Sequence, residues 1–471
     1  MKLFITIIWF LTFAKVFLFW LWLWQLKEYH WGRFKAHFET QKIKKIISSF
    51  WRVKFPKFTK KTITILFFGI LLVSLILFYI SPLENSAFYI SLLILLLISP
   101  VILSLLILFF QIPTDILRNK ILKRAQQKRA KVDELRSSSP SLGSPRAPRS
   151  VFKDLLVIGI TGSYGKTSTK EFLTDILSKK FRVLKTKKHV NAEIGIAQAI
   201  LNELTREHEI FIAEIGAYEK GKIKQVCEML QPKIGILTGI NEQHLSTFGS
   251  LKNIIKAKFE LIESLPEEGL AVFNGNNKYC RELFQETKIP KKIVYPQNYN
   301  FVLNKKNLFP WDIENLSLAV AVAEFLGVSR EKIEEALNEI ESPIKIKKGI
   351  NGLNIIDATY SANPDGVIAH LEYLKTFPER KVIVMPCLIE LGKASGEIHK
   401  KIGQKIAEVC DLAIITTKDR FKEIKGGAGD RAVFMEDPKA ILEKIKNFTK
   451  EGDLVLLESR VPDFLIKQLI L

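Results

Sequence analysis

Three nearly uninterrupted apolar stretches, Leu3–Trp24, Thr62–Ile80 and Ser86–Ile112, constrain this 471-residue chain before anything else does. Each reaches the roughly 20 residues that a helix needs to cross a bilayer core. The first could instead be a secretory signal peptide, but its apolar run exceeds the usual length of about 7–15 residues and no small-residue cleavage site follows it. The sequence therefore predicts an anchor of three transmembrane helices over residues 1–113.

Charge sets the orientation of that anchor. Lys27–Lys61 holds 11 Lys+Arg against 2 acids and Arg118–Arg149 holds 10 against 2, whereas the short loop Ser81–Asn85 has no Lys or Arg. Positively charged loops stay on the cytoplasmic side. Met1 should then lie outside, both basic segments inside, and everything after Ile112 in the cytoplasm, which makes a multi-pass protein of the cytoplasmic membrane. Trp20, Trp22 and Trp24 should mark an interface, and Lys15 should snorkel or face a neighbouring span. Residues 1–150 contain 23 Lys+Arg and 6 acids, so they supply most of the formal net charge of +21. Basicity placed beside apolar runs speaks for lipid headgroups as the partner and against nucleic acid, which would want a basic, aromatic-studded folded face.

Arg136–Ser150 reads RSSSPSLGSPRAPRS, a composition without apolar periodicity. With its basic neighbours it is expected to form a tether over residues 114–150. Cys227, Cys280, Cys387 and Cys410 lie far apart with no CxxC pair, so neither a disulfide framework nor a structural zinc site is indicated.

From Val151 short apolar runs alternate with amphipathic segments, the pattern of an α/β fold with parallel strands between helices. Leu155–Ile160 reads as a buried strand and runs directly into TGSYGKTS, Thr161–Ser168, and then into a helical KEFLTDILSKK. A strand, a glycine turn and a helix N-terminus aim backbone N–H groups at phosphate, Lys166 neutralises phosphate charge, and the Thr167 hydroxyl can ligate Mg²⁺. The spacing is not the commonest GxxxxGK[ST], since Ile160 stands five before Gly165. Downstream, Glu214 ends the apolar run Ile210–Ile215, and Asn241 and His244 follow the run Ile234–Ile240. Ligands of open α/β sheets gather at the carboxyl ends of strands, so these residues could hold metal and nucleotide beside the phosphate loop. Alone, Glu214 reads equally as a surface acid, His244 as a structural histidine and Lys258 as a solvated helix lysine.

These residues resemble the Mur ligases, ATP-dependent amide ligases of peptidoglycan synthesis. TGSYGKTSTKEFL resembles the family's nucleotide loop, AEIGAYEKGKI its acidic motif, and NEQHLSTFGSLKNIIKAKFELI its metal-binding histidine and lysine segment. NAEIGIAQAIL, ENLSLAVAVAEFLG, IIDATYSANPDGV and IELGKASGEIHKKIG are similar to the branch that adds D-alanyl-D-alanine to a muramyl tripeptide. The resemblance spans residues 151–471. It implies a P-loop Mur ligase central domain over 151–341 and a Rossmann-like substrate domain over 342–471, with Lys381–Met385, Leu412–Thr416 and Leu454–Leu457 as its parallel strands.

Carried over position by position, the resemblance implies an ATP site formed by Gly162, Ser163, Gly165, Lys166, Thr167, Ser168 and, near the adenine, Asn315. Thr167 and Glu214 would hold one Mg²⁺, and His244 and Lys258 would serve a second, Lys258 matching a position that is carbamylated in such enzymes. Lys166, Lys258 and His244 would be the catalytic set. Asn191, Asp357, Tyr360, Asn363 and Arg460 would contact the substrates, while Glu390 and His399 match motif positions of open role. The chemistry follows from charge: a carboxylate is a poor electrophile, so ATP converts it to an acyl phosphate that an amine displaces, and cations offset the charge on the transferring phosphoryl group.

Several positions differ from the family pattern: Tyr218 in place of Asn, Trp311 where a His precedes the adenine asparagine, Ala358 and Ser361 in DATYSANP, and LLESR at Leu456–Arg460, where Leu457 replaces a Lys and Ser459 and Arg460 are kept. The family's UDP-binding amino-terminal domain has no counterpart in residues 1–150. A Mur-type ligase using another amine or a lipid-linked acceptor, and a non-catalytic membrane-anchored nucleotide-binding scaffold, stay open beside the D-alanyl-D-alanine-adding ligase. Other wall-synthesis membrane proteins are candidate partners for the spans.

Overall fold

In a computed structural model of the chain, the described residues are 2–26, Tyr29, Trp31, Phe34, 55–138, 154–187, 190–303, 308–342, 344–359 and 363–470. They form two compact units, residues 1–120 and 121–471.

The first unit contains the helices Lys2–Leu26, Lys60–Ile80 and Asn85–Phe109, each long and apolar enough to cross a membrane. Several of their polar groups are matched internally, the arrangement an apolar medium would require. The indole N–H groups of Trp20 and Trp24 both donate to Ser104 Oγ, at 2.9 and 3.0 Å, and that of Trp9 donates to the Leu92 carbonyl at 2.7 Å. Pro100 lies inside the third helix and has no N–H to offer the carbonyl four residues back; the Ser99 hydroxyl donates to that Leu96 carbonyl at 2.8 Å instead. Gly69 lets the first two helices approach, since a Cβ there would stand 2.4 Å from Phe17 Cζ. The outer faces are apolar, with Phe67, Phe78 and Leu97 exposed.

A fourth long helix, Gln111–Ser138, runs where a tether was expected from residue 114. Its residues from Ile121 onward belong to the second unit. Leu122, Ala125 and Val132 are buried in the same core as the first sheet's helices. Lys128 Nζ donates to the Leu201 carbonyl, Arg129 to the Leu230 carbonyl and Arg136 to those of Arg206 and His208. The composition misled because Ser and Pro begin only near residue 137, and the basic residues before them sit on a helix whose apolar positions recur every three or four residues. The rest of the expected tether, 139–150, lies outside the described residues.

The second unit holds two sheets. The first has strands β1 (Leu156–Thr161), β2 (Val183–Lys185), β3 (Ile210–Glu214), β4 (Ile234–Leu237), β5 (Leu270–Asn274) and β6 (Lys291–Val294), all parallel in the order β2-β3-β1-β4-β5-β6. Central strands are buried on both faces, which is why they read as unbroken apolar runs rather than alternating ones. One face packs on helices including Glu193–Glu203, Lys222–Leu230 and Leu251–Glu263, the other on Lys166–Leu177 and Pro310–Phe325.

The second sheet has β7 (Ile346–Lys348), β8 (Asn354–Ala358), β9 (Lys381–Met385), β10 (Leu412–Ile415), β11 (Ala432–Phe434) and β12 (Leu454–Glu458), in the order β11-β10-β9-β12-β8-β7. Only β7 runs antiparallel among these described strands. The strands expected at Lys381–Met385, Leu412–Thr416 and Leu454–Leu457 are present to within a residue. Both sheets end at their carboxyl edges in loops that carry the polar residues singled out above.

Candidate active site

The phosphate loop leaves β1 at Thr161 and enters the helix Lys166–Leu177 through Gly165, whose φ of 77° is left-handed. A Cβ on Gly165 would lie 2.3 Å from Asn315 Oδ1, and one on Gly162 would lie 2.1 Å from Thr238 Oγ1. Glycine is thus required twice, once for conformation and once for the close approach of β4's end. Ser163 is buried and exchanges hydrogen bonds with the backbone of Asn241 at 3.1 and 3.4 Å. Lys166 Nζ curls over the loop to the Gly162 and Ser163 carbonyls, at 2.7 and 3.4 Å. Burial lowers its pKa, against the pull of Glu214. Ser168 is half-buried in the first helical turn.

Glu214 ends β3 and is only 2% exposed, so it is no surface acid. Its Oε2 accepts from the Thr167 hydroxyl at 2.9 Å and from Lys170 Nζ at 3.3 Å, and its Oε1 accepts from Asn191 Nδ2 at 3.0 Å. Burial alone would raise its pKa, but Lys166, Asn191, Lys170 and Thr167 together hold it below the ordinary value. Lys170 is fully buried, and sequence reasoning passed over it. The signal was its position one helical turn beyond Lys166, on the same face of the helix.

His244 follows β4 with a left-handed φ of 66°, and its Nδ1 meets Glu390 Oε2 at 2.5 Å. Burial, aided by the charges of Lys258 and Lys166, lowers its pKa despite Glu390. Tyr218 packs edge-on against the same imidazole at 4.7 Å. Lys258, on the helix Leu251–Glu263, is 3% exposed rather than solvated. Burial and the neighbouring Lys166 push its amine down to about 7. Lys166, Glu214, His244 and Lys258 thus fall within electrostatic reach of one another, as expected of one site.

Asn315 is buried in the helix Pro310–Phe325, where Thr169 Oγ1 donates to its Oδ1 at 3.2 Å and its Nδ2 donates to the Trp311 carbonyl at 2.8 Å. The second sheet brings Asp357 to the end of β8, where it accepts from Thr359, and Arg460 to the exposed turn after β12. Asn363 caps the helix Pro364–Leu374 through Gly366 N–H at 2.9 Å. Tyr360 and Ser361 lie outside the described residues. His399 is structural: buried, it accepts from the Leu388 N–H at 2.9 Å and its Nδ1 sits 2.6 Å from the Ser395 carbonyl.

Several contacts among the described residues join the halves of the site. Asn241 Nδ2 donates to Asn363 Oδ1 at 3.3 Å and to Asp365 Oδ2 at 3.1 Å, Glu390 receives His244, and Phe309 and Trp311 pack against Tyr373 and His370. Sequence reasoning found none of these pairings, whose partners stand far apart in the chain.

The residues fit a nucleotide with its metal. Loop N–H groups and a helix N-terminus suit phosphate, and a buried charged carboxylate beside a threonine hydroxyl suits Mg²⁺, which takes one or two carboxylates and fills the rest of its shell from phosphates and water. No group of three or more His, Cys, Asp or Glu stands together among the described residues. A second cation does not fit beside Lys258 as an ammonium. It does fit beside a carbamate there, and a buried amine near 7 is one that can react with CO₂.

Residues 160–318 match the family of the Mur ligase middle domain and residues 344–460 that of the Mur ligase, glutamate ligase domain. The UDP-N-acetylmuramoyl-tripeptide–D-alanyl-D-alanine ligase of Synechocystis sp. is 27% identical over 329 residues, covering 64% of this chain and 71% of the relative. That of Bacillus subtilis is 25% identical over 337 residues, covering 64% and 72%. Among solved structures, a MurF from Acinetobacter baumannii covers 66% of this chain and 74% of its own at 25% identity and a TM-score of 0.57. In fold alone, MurF from Thermotoga maritima in complex with ADP is similar at 22% identity and a TM-score of 0.61, covering 74% and 83%.

Proposed function

The chain belongs to the Mur ligase family, and from that premise we propose that it joins D-alanyl-D-alanine to a muramyl tripeptide at the expense of ATP, through an acyl phosphate. The observation that carries this reading is the single cluster in which Lys166, Thr167 and Glu214 meet His244 and Lys258 between two domains of the family's kind.

Each residue then has a task. The loop from Gly162 to Thr167 binds the phosphates through backbone N–H groups, and Lys166 leaves its own carbonyls to meet the phosphate that is transferred. Mg²⁺ held by Thr167 and Glu214, with a second served by His244 and carbamylated Lys258, would offset the charge on that group. Asn191 shares Glu214 and stands ready to hold the acceptor. The Asn241, His244 and Trp311 contacts keep the amine-side domain shut over the cluster, which excludes water from an acyl phosphate that water would hydrolyse.

The three apolar helices support a place in the cytoplasmic membrane, with lipid as partner and both sheets on the cytoplasmic side. They also favour a second reading in which the acceptor is lipid-linked, because the family match begins only at residue 160. The test uses the full-length protein in detergent: phosphate release from Mg-ATP with UDP-linked or lipid-linked muramyl tripeptide, with and without D-alanyl-D-alanine. Release that needs both acceptor and amine supports the ligase, and the preferred acceptor decides between the readings. ATP binding without release on any acceptor refutes the ligase and leaves a scaffold.

A further inference from the structure

Glu458 and His370 form a buried pair of which the mechanism above uses only the packing of Trp311 on the His370 ring. Glu458 ends β12 and is 0% exposed, His370 is 4% exposed, and His370 Nδ1 lies 2.5 Å from Glu458 Oε2. The other carboxylate oxygen accepts from the Ser459 hydroxyl at 3.3 Å. Ser459 is itself buried at φ 58°, a left-handed conformation that costs a residue with a Cβ. Its N–H reaches the Ala358 carbonyl at 3.3 Å, and its carbonyl accepts from Val461 N–H at 3.0 Å. The chain therefore turns sharply as it leaves the sheet, and the turn is fastened from beneath by Glu458.

What the turn presents is Arg460. It is exposed beside the carboxyl end of β8, where Glu458 pairs in register with Ala358 and Asp357 is one residue away. Leu457 points into the apolar core, so Arg460 is the one cation this motif offers to solvent. Trp311 packs edge-on against His370 at 4.5 Å, which restricts the imidazole beside Glu458.

We propose that Glu458 and His370 are positioning residues: they hold the Ser459 turn so that Arg460 points at the carboxylate of the incoming dipeptide, where a guanidinium can make two parallel hydrogen bonds. This rests on the ligase reading, and it makes a free carboxylate a requirement on the amine substrate.

The test is steady-state kinetics of the full-length protein at saturating Mg-ATP and acceptor, varying D-alanyl-D-alanine and its carboxamide. Glu458→Ala and Arg460→Ala should each raise KM for the dipeptide about tenfold or more with KM for ATP unchanged, and each should erase the preference for carboxylate over carboxamide. The double variant should be no worse than Arg460→Ala alone, since one residue acts through the other. Glu458→Gln keeps the shape and an acceptor for Ser459, so it should recover part of the loss, and it decides the matter if Glu458→Ala fails to fold. Unchanged KM in both Glu458 variants, or additive losses in the double variant, overturns the proposal while leaving the ligase standing. No stimulation of the unchanged protein by the dipeptide overturns both.

Discussion

Replacing Lys170 by Met tests whether a cation, rather than packing, keeps Glu214 charged inside the protein. The two charges lie 3.3 Å apart, with side-chain exposures of 0% and 2%. At an effective dielectric of about 20 their attraction is about 5 kcal/mol, and breaking a buried pair by removing one partner typically costs about 3–5 kcal/mol. Thr167, Asn191 and Lys166 still serve Glu214 in the variant, so the lower end, about 3 kcal/mol, is expected. For a domain of this size that is a fall of roughly 6–12 °C in melting temperature. The assay is thermal unfolding of the full-length protein in detergent, with Lys170→Arg as a control that restores the charge and should recover most of the loss. Mg-ADP should stabilise Lys170→Met by more than it stabilises the unchanged protein, because a metal at Glu214 replaces the missing charge. A fall of less than about 2 °C, or equal losses in the Met and Arg variants, would refute the reasoning.

Three further outcomes are expected. Lys258→Ala should lose turnover and regain part of it with short carboxylates such as acetate, which can occupy the place of a carbamate; no regain removes the case for carbamylation. Gly165→Ala places a side chain at φ 77° and against Asn315 Oδ1, at about 1–2 kcal/mol for the conformation alone, so titration calorimetry should show ADP binding weakened roughly tenfold or more. Asp312 is fully buried, and burial lifts its carboxyl to about 6, against the hydrogen bonds from Ser342 and Phe309 N–H. Its protonated form is favoured in the fold, so the folded protein loses stability as pH rises from about 4 to about 6; Asp312→Asn should match the unchanged protein near pH 4 and exceed it by up to about 3 kcal/mol above pH 7, and a pH-independent difference in melting would contradict this.

The strands were legible because a parallel sheet buried on both faces must be written as an apolar run, and Lys381–Met385 is recovered residue for residue. The phosphate loop was legible because its demands are local: two glycines, a lysine and a threonine between Gly162 and Thr167. Lys170, Lys258 and Glu458 were not legible in the same way. Lys170 and Lys258 have polar sequence neighbours that suit a solvated surface, Glu458 stands at the end of an apolar run where a strand gives way to a loop, and each is buried because the fold brings other elements over it. The His370 and Glu458 partners are separated by 88 residues, and no spacing rule reaches that far. Residues 114–138 depart from the expected tether for the opposite reason. Their composition was polar enough for coil, but Leu122, Ala125 and Val132 needed only one face of a helix to find a core.

That helix bears on how the two-sheet unit could be cut free of the three apolar helices. A fragment begun at residue 151, where the family resemblance starts, would strip Leu122, Ala125 and Val132 from their core and bare the carbonyl ends of two helices that Lys128 and Arg129 now cap. Each larger buried aliphatic side chain so lost is worth about 1.5–3 kcal/mol. A fragment begun at residue 121 keeps all of these contacts, so the natural seam for excising this unit lies well ahead of the one its motifs suggest.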